Sequence, residues 1–377
     1  MQKGEKWNRI KQLFDAALEC ELQQRSAFLH EACAGDGDLL AELESLLSAY
    51  EKADDLSGPA WPFRDATSAQ ERKSIGPYRL LKKLGEGGMG QVWLAEQTTP
   101  VKRQVALKLI RAGMFDSAAL QRFQSECQSL AIMDHPTIAK VFDAGTTADG
   151  QPYFVMEYVP GVPITDYCDQ KKLKIAERLE LFVKVCEGVQ HAHQKAIIHR
   201  DLKPANILVV EVDGKAVPRI IDFGLAKSVT PDVLDQAPFT LAGSFIGTPG
   251  YMSPEQADAI TQDVDTRTDV YSLGAVLYVL LTGSLPFAPP PGKRQVLDEV
   301  LHQLREEDPP RPSTKTRPRS ESTKTAAEAR GMEPKQLARV LSGDLDWIAM
   351  RALERDRNQR YGTPSELAAD IRRYLNN

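Results

Sequence analysis

Four polar side chains able to support phosphoryl transfer stand in two short runs. Three lie in His199-Arg200-Asp201-Leu202-Lys203-Pro204-Ala205-Asn206, and the fourth opens Asp222-Phe223-Gly224. Asp201 is a carboxylate that can orient an attacking hydroxyl and take its proton. Lys203 can neutralise charge on the group in flight. Asn206 and Asp222 supply hard oxygen ligands, the kind that hold Mg2+. Upstream, Gly85-Glu86-Gly87-Gly88-Met89-Gly90-Gln91-Val92 lets backbone close over phosphates without Cβ clashes. Then Val105-Ala106-Leu107-Lys108 sets a lysine inside an apolar strand.

Each piece alone has a duller reading. A G-x-G-x-x-G run also fits a dinucleotide loop, but here a strand pattern follows it rather than a helix. Lys108 by itself reads as a strand-edge surface lysine. A buried lysine needs a partner, and the glycine run upstream makes it a holder of the α- and β-phosphates. Between Lys108 and Asp134 the carboxylates are Asp116 and Glu126. Asp116 precedes the helical stretch, so Glu126 is the expected partner.

The order and spacing of these runs, with Ser253-Pro254-Glu255 downstream, resemble a eukaryotic-like (Hanks-type) protein kinase. Lys203-Pro204 looks like the Ser/Thr rather than the Tyr branch. Gly-Glu-Gly-Gly-Met-Gly and Gly-Thr-Pro-Gly-Tyr-Met-Ser-Pro-Glu-Gln look most like bacterial members. The resemblance implies an α+β, two-lobed fold, with a small β-rich N-lobe carrying one main helix and a larger helical C-lobe. It implies ATP with Mg2+, Mn2+ being the alternative, and protein substrates bearing Ser or Thr, this chain itself in trans among them.

It also assigns roles. Leu84, Gly85, Glu86, Gly87, Gly88, Met89 and Gly90 would cover the nucleotide, Val92 and Ala106 would enclose the adenine, and Leu208 joins the same site. Met156 would stand behind the base, with backbone groups of Glu157 and Val159 along its edge. Lys108, paired with Glu126, would hold the phosphates, and Asn206 and Asp222 the metal. Asp201 and Lys203 would do the chemistry, and His199 would pack. Phe223 would pack near Leu130. Arg200 would receive a phosphate on the activation segment, 222–255, with Thr240 and Ser244 the best-placed hydroxyls. Thr248 reads as structural beside Asp201 and Lys203. Glu255 would pair with Arg360, and Asp269 would anchor the catalytic-loop backbone. Ser253 stands where the family usually has Ala, one small residue for another.

These residues need elements to position them. Three β-type runs, 78–84, 91–96 and 104–110, precede a helical stretch at 118–133 with Phe123, Cys127, Leu130 and Ala131 on one side. The runs 137–142 and 153–158 read as a strand pair. Leu179, Phe182, Val183, Cys186 and Val189 mark a buried helix leading to the His199 loop. Asp213-Gly214 signals a hairpin between the two catalytic runs. Thr363, Pro364 and Glu366 open a last helix with a capping box.

The domain boundaries read as a helical module over 1–53, a Pro-, Gly- and Ser-containing linker over 54–74, and the kinase unit over 75–377. Within the unit, the N-lobe covers about 75–158 and the C-lobe about 161–377. Residues 309–331 are rich in Pro, Ser, Thr, Lys and Arg and read as a disordered insertion. Trp7, Ile10, Phe14 and Ala17, and later Leu39, Leu43, Leu46, Leu47 and Tyr50, form apolar stripes at helical spacing.

The 377 residues, 42% of them apolar, can bury a large core. A net charge of -5 gives no reason to expect nucleic acid as a partner. Five widely spaced Cys read as free thiols in a reducing compartment. The apolar run near 270–281 is too short to span a bilayer and reads as a buried helix. A cytoplasmic location and no membrane contact from this chain are expected, although a longer parent protein could be anchored. Two competing functions are a nucleotide-binding pseudokinase, against which Lys108, Asp201, Asn206 and Asp222 all argue, and partner docking by the N-terminal helices.

Overall fold

A computed structural model describes residues 28–29, 32–33, 74–87, 90–111, 125, 127–223, 249–257, 264–287, 297–317 and 321–377. The chain divides into two compact units, Met1–Arg72 and Lys73–Asn377. In the first, Leu29 and Cys33 are buried and the Cys33 N–H donates to the Leu29 carbonyl at 3.0 Å. The remainder of the expected helical module, and the expected linker up to residue 73, lie outside the described residues.

The second unit begins with an antiparallel sheet in the order β1-β2-β3-β4-β6-β5. Its strands are β1 (Ser74–Ile75), β2 (Tyr78–Gly87), β3 (Gly90–Gln97), β4 (Arg103–Ile110), β5 (Val141–Thr146) and β6 (Pro152–Glu157). β4 lies between β3 and β6, and its period of two sorts its side chains. Val105, Leu107 and Leu109 join Tyr78, Tyr153 and Val155 in one small core. Ala106 and Ile110 face the other way and join Phe154, Met156, Cys127, Leu130 and Met133 in the main core, which continues into the C-lobe. Lys108 falls between Ala106 and Ile110 in that alternation, so the strand pleat turns it toward the active cleft.

A second sheet, β7-β8-β9, follows, with β7 (Val162–Pro163), β8 (Ile207–Val212) and β9 (Lys215–Ile220). Asp213 and Gly214 join β8 to β9 with φ of +50° and +73°. Two consecutive left-handed residues are what a two-residue hairpin of right-twisted strands requires.

Helices α1 (Ile164–Gln170) and α2 (Ile175–His193) lead to the catalytic loop. After it come α3 (Pro254–Ala257), α4 (Arg267–Thr282) and α5 (Leu297–Glu306). α4 is buried almost all round, as expected of an apolar run too short for a membrane. The chain continues with α6 (Pro312–Lys315), α7 (Glu321–Glu328), α8 (Pro334–Leu341), α9 (Asp344–Ala352) and α10 (Pro364–Asn376). Thr363 caps α10 by accepting from the Glu366 N–H at 3.2 Å. Glu366 reaches back to the Gly362 N–H at 2.9 Å, one residue before the position a capping box uses. Among the described residues no helix is long and apolar enough to cross a membrane.

The expectation of a disordered insertion at 309–331 is corrected. Apart from residues 318–320, which are not described, the segment carries α6 and α7, and Thr316, Ala327 and Arg330 are buried. Ala327 joins the main core, and buried guanidiniums add polar anchors at the end of α7. Arg330 donates to the carbonyls of Val279, Leu280 and Ala326, and the buried Arg178 donates to those of Leu173, Cys168 and Ala329. The two guanidiniums therefore sit on the C-terminal carbonyls of α4, α1 and α7, where helix dipoles place partial negative charge. Asp169 pairs with Arg178 at 2.7 Å. Burial and the neighbouring Arg178 push the Arg330 pKa down to about 10.

Candidate active site

The catalytic loop hangs from Asp269, a fully buried carboxylate in the first turn of α4. Its Oδ2 accepts from the His199 N–H at 2.8 Å and its Oδ1 from the Arg200 N–H at 2.9 Å. His193 Nε2 meets Oδ2 at 2.7 Å. Burial alone would raise the Asp269 pKa. The His193 hydrogen bond and charge, with the loop N–H groups, outweigh it and hold the carboxyl below its ordinary value. Arg200 adopts φ of +61°, an uncommon conformation for a side chain with a Cβ. Its N–H on Asp269 and its carbonyl, which accepts from Gln256 Nε2 at 3.0 Å, hold it there.

His199 does more than fill space. Its Nε2 donates to the Ile221 carbonyl at 3.1 Å, while Nδ1 accepts from the Asp201 N–H at 3.3 Å. Burial lowers its pKa, which keeps the ring neutral and suits that pairing of donor and acceptor. The Phe223 ring lies 4.5 Å from it, in the same core as Leu130. One imidazole thus joins the Asp201 loop to the strand end that carries Asp222.

Asp201 Oδ2 receives Lys203 Nζ at 2.8 Å and Asn206 Nδ2 at 3.1 Å. Asn206 Nδ2 also donates to the Asp201 carbonyl at 2.8 Å. The Ile221 N–H donates to the Asn206 carbonyl at 2.9 Å, which brings Asp222 beside Asn206. Asp222 has φ of +58° and forms an ion pair with Lys108. The Lys108 ammonium is thereby compensated within the cleft. Glu126, its expected partner, lies outside the described residues.

The glycine run is the β2–β3 turn. At Gly85 and Gly87 an added Cβ would meet open space. Gly90 is different: it has φ of +144°, and a Cβ there would lie 2.0 Å from the Leu109 carbonyl oxygen. Only glycine allows β3 to lie this close to β4 at the turn. Gly88 and Met89 lie outside the described residues. Leu84 is half-exposed, Val92 half-buried, and the Glu86 carboxyl is held below its ordinary pKa by the Lys83 hydrogen bond.

Met156, at the end of β6, is buried against Ala106 in the main core. Glu157 is pinned on both sides. Its N–H donates to the Lys140 carbonyl at 2.8 Å, and its carboxylate pairs with Arg219. Val159 is buried, and Gly161 lets the segment pass 2.9 Å from the Leu208 Cβ of β8, measured from where its own Cβ would stand. The lobes are thus joined by a short, tightly seated stretch.

Glu255 and Arg360 form the expected buried pair, with two contacts of 2.7 and 2.8 Å. Thr268 Oγ1 adds a third bond to Glu255 at 2.9 Å. Burial would raise the Glu255 pKa, but Arg360 and these bonds pull it below the ordinary carboxyl value. Gly224, Thr240, Ser244 and Thr248 lie outside the described residues. Sequence reasoning missed His193 and Gln256. Their signals were faint: an imidazole in the last turn of the helix before the catalytic loop, and a carboxamide directly after Glu255.

The protein kinase domain profile matches residues 78–370. The chain belongs to the protein kinase family. Its relatives are the eukaryotic-like serine/threonine kinases of bacteria. The serine/threonine-protein kinase PknB of Mycobacterium tuberculosis is 37% identical over 304 residues, covering 79% of this chain and 43% of that protein. The serine/threonine-protein kinase Pkn1 of Myxococcus xanthus is 38% identical over 237 residues, 62% of this chain and 32% of that protein. The match thus spans less than half of these relatives. Among solved structures, the PknI kinase domain of Mycobacterium tuberculosis aligns with a TM-score of 0.55 at 25% identity, covering 81% of this chain and 98% of that one. Protein kinases use ATP and a divalent metal, and the fold seen here is theirs.

Proposed function

We propose that this chain transfers the γ-phosphoryl group of ATP to Ser and Thr hydroxyls of proteins, with Mg2+ as the working ion. The observation that carries the reading is the convergence of Lys108 on Asp222 beside Asn206, with Asp201 fixed next to them. The donor set fits the metal. Among the described residues no three His, Cys, Asp or Glu side chains could hold an ion. Two hard oxygens, from Asn206 and Asp222, suit Mg2+, which completes its shell with phosphate oxygens and water. Mn2+ is the alternative hard ion for the same pair.

When bound, the metal nucleotide supplies the transferable phosphoryl group and a metal that offsets its charge. Everything else falls to the chain. Asn206 uses its NH2 on Asp201, which leaves its Oδ1 as the ligating atom. Lys108 places a cation at the phosphates, and Glu86 and the half-exposed Leu84 cap the strap above them. Val92, Ala106, Met156 and Leu208 provide apolar surface for the base, and Glu157 and Val159 its hydrogen-bonding edge. Asp201 orients the acceptor hydroxyl and takes its proton, while Lys203 holds Asp201 and faces the developing charge.

Activation is assigned to phosphorylation in trans on Thr240 or Ser244. Arg200 supports this, since its backbone is fixed directly before Asp201 and its guanidinium suits a phosphate. Incubation with Mg-ATP and a protein substrate, followed by phosphosite mapping, tests the function, with Asp201→Asn as control. Phosphoserine and phosphothreonine are expected. Mainly phosphotyrosine, or equal labelling by the control, overturns the proposal.

A further inference from the structure

Gln256 follows the Glu255 that pairs with Arg360, and its carboxamide meets two polar neighbours that cannot exchange roles. Its Oε1 accepts from the Ser253 N–H at 3.3 Å and from the Ser253 hydroxyl at 3.4 Å. Its Nε2 donates to the Arg200 carbonyl at 3.0 Å. A backbone N–H only donates and a carbonyl only accepts, so the amide has one orientation here. Ser253 is fully buried, and its N–H needs an acceptor.

The two contacts differ in what they demand. Ser253 precedes α3, and its carbonyl accepts from the N–H groups of Gln256 and Ala257, both at 3.1 Å. With the Gln256 side chain returned to the Ser253 N–H, this is a capping box, a role that Glu fills as well as Gln. The bond to Arg200 needs an NH2 group, which Glu lacks. The cap accounts for either residue at 256, and the Arg200 carbonyl accounts for Gln.

That carbonyl belongs to the peptide plane from which Asp201 springs. The Arg200 C=O and the Asp201 N–H lie in one plane and point in opposite directions. His199 Nδ1 accepts from the N–H at 3.3 Å, and Gln256 donates to the C=O. On the other side of Arg200, its own N–H is held by Asp269. The φ of +61° at Arg200 is a conformation that persists only while its surroundings fix it. Gln256 is itself on a fixed platform. Thr268 and Arg360 bind Glu255, and Arg305 donates to the Ala257 carbonyl.

We propose that Gln256 is a positioning residue for phosphoryl transfer. It fixes the Arg200–Asp201 peptide plane, so aiming the Asp201 carboxylate, and it couples that aim to Ser253 near the end of the activation segment. This rests on the kinase reading above. A shift of Ser253 would draw Gln256 away and free the Arg200 carbonyl, so the position of the segment's end reaches the catalytic loop through this side chain.

The test compares Gln256→Glu with wild type in the full chain, with Mg-ATP and casein as substrates. The replacement keeps the cap and removes the donor, so the melting temperature should stay near wild type. kcat should fall about 10- to 100-fold, the scale of a misplaced reacting group, with KM for Mg-ATP unchanged. Asp201→Asn supplies the second readout. Gln256→Glu should cost little further rate in that background, because the aim of a base matters only while the base is present. A purely structural role would cost the same factor in both backgrounds. If Gln256→Glu fails to fold, the uncharged Gln256→Met decides the case and should show the same split between kcat and KM. Wild-type kcat in the folded variant, a loss confined to KM for Mg-ATP, or an equal loss in the Asp201→Asn background overturns the proposal. Transfer by the wild-type chain neither to casein nor to itself would instead overturn the kinase reading beneath it.

Discussion

Asp201 is aimed by groups on three sides: Lys203 and Asn206 on its carboxylate, His199 on its N–H, and Asp269 on the two residues before it. Replacing Asp201 by Asn keeps the shape and removes the base, so turnover should fall about 10²–10⁴-fold with ATP affinity retained. Lys108→Met should also lose turnover, through misplaced phosphates, and should show weaker ATP binding where Asp201→Asn does not. Fluorescent-nucleotide titration beside steady-state kinetics separates the two, and near wild-type rates in either variant would refute the site. The Glu255–Arg360 pair sets an acid limit. Its folded pKa is depressed, so its stabilisation is present above the unfolded carboxyl value of about 4.3 and is lost as pH falls through the folded value. The acid limb of a stability-versus-pH curve should therefore be shallower in Glu255→Gln. The variant itself should cost about 3–5 kcal/mol, since the buried Arg360 charge loses its counter-ion. An unchanged limb would show that the pair does not carry acid sensitivity.

At the scale of elements, two kinds of information behave differently. The catalytic loop, the glycine strap and the β8–β9 hairpin were legible because each is contiguous in sequence and its residue types are forced by backbone geometry, as Gly90 and Asp213-Gly214 show. The order of α6 and α7 was not legible, because composition says how much apolar surface a segment has and not where its charges go. Arg330 reads as a solvated cation until α4 ends beside it with carbonyls that accept from it. His193 was unreadable for the same reason, since its partner Asp269 is brought to it by packing of α4. Arg330→Ala should therefore destabilise the protein by at least about 3 kcal/mol, because buried carbonyls lose their donor. Urea denaturation measures this, and a midpoint equal to wild type would mean that water replaces the guanidinium. Deletion of 313–330 should abolish cooperative unfolding rather than leave it intact.

On the scale of the whole molecule, the division after Arg72 separates catalysis from whatever the first unit does. A chain beginning at Lys73 contains every residue of the proposed active site. It should fold with a cooperative melt and phosphorylate a protein substrate at a rate within a few-fold of the full chain. Loss of activity with an intact melt would assign a regulatory role to residues 1–72. The activation segment gives an independent readout. Thr240→Ala with Ser244→Ala should remove the concentration-dependent lag in autophosphorylation and hold activity at its initial level. Full activity in that variant would move control elsewhere in the chain.

The β8–β9 hairpin has a bearing on the order of assembly. Asn206 and Asp222 flank its open end, and the Ile221 N–H to Asn206 carbonyl bond closes it. Two strands joined by a two-residue turn can zip within about 1–10 microseconds and form only local contacts. The two proposed metal ligands are therefore neighbours as soon as this piece forms, while Lys108 and Asp269 must be recruited from distant parts of the chain at a higher entropic cost. A nascent chain should bring Asn206 and Asp222 together early and Lys108 to Asp222 late. Release from the ribosome in a half-built state would thus still present the proposed seat for a cation.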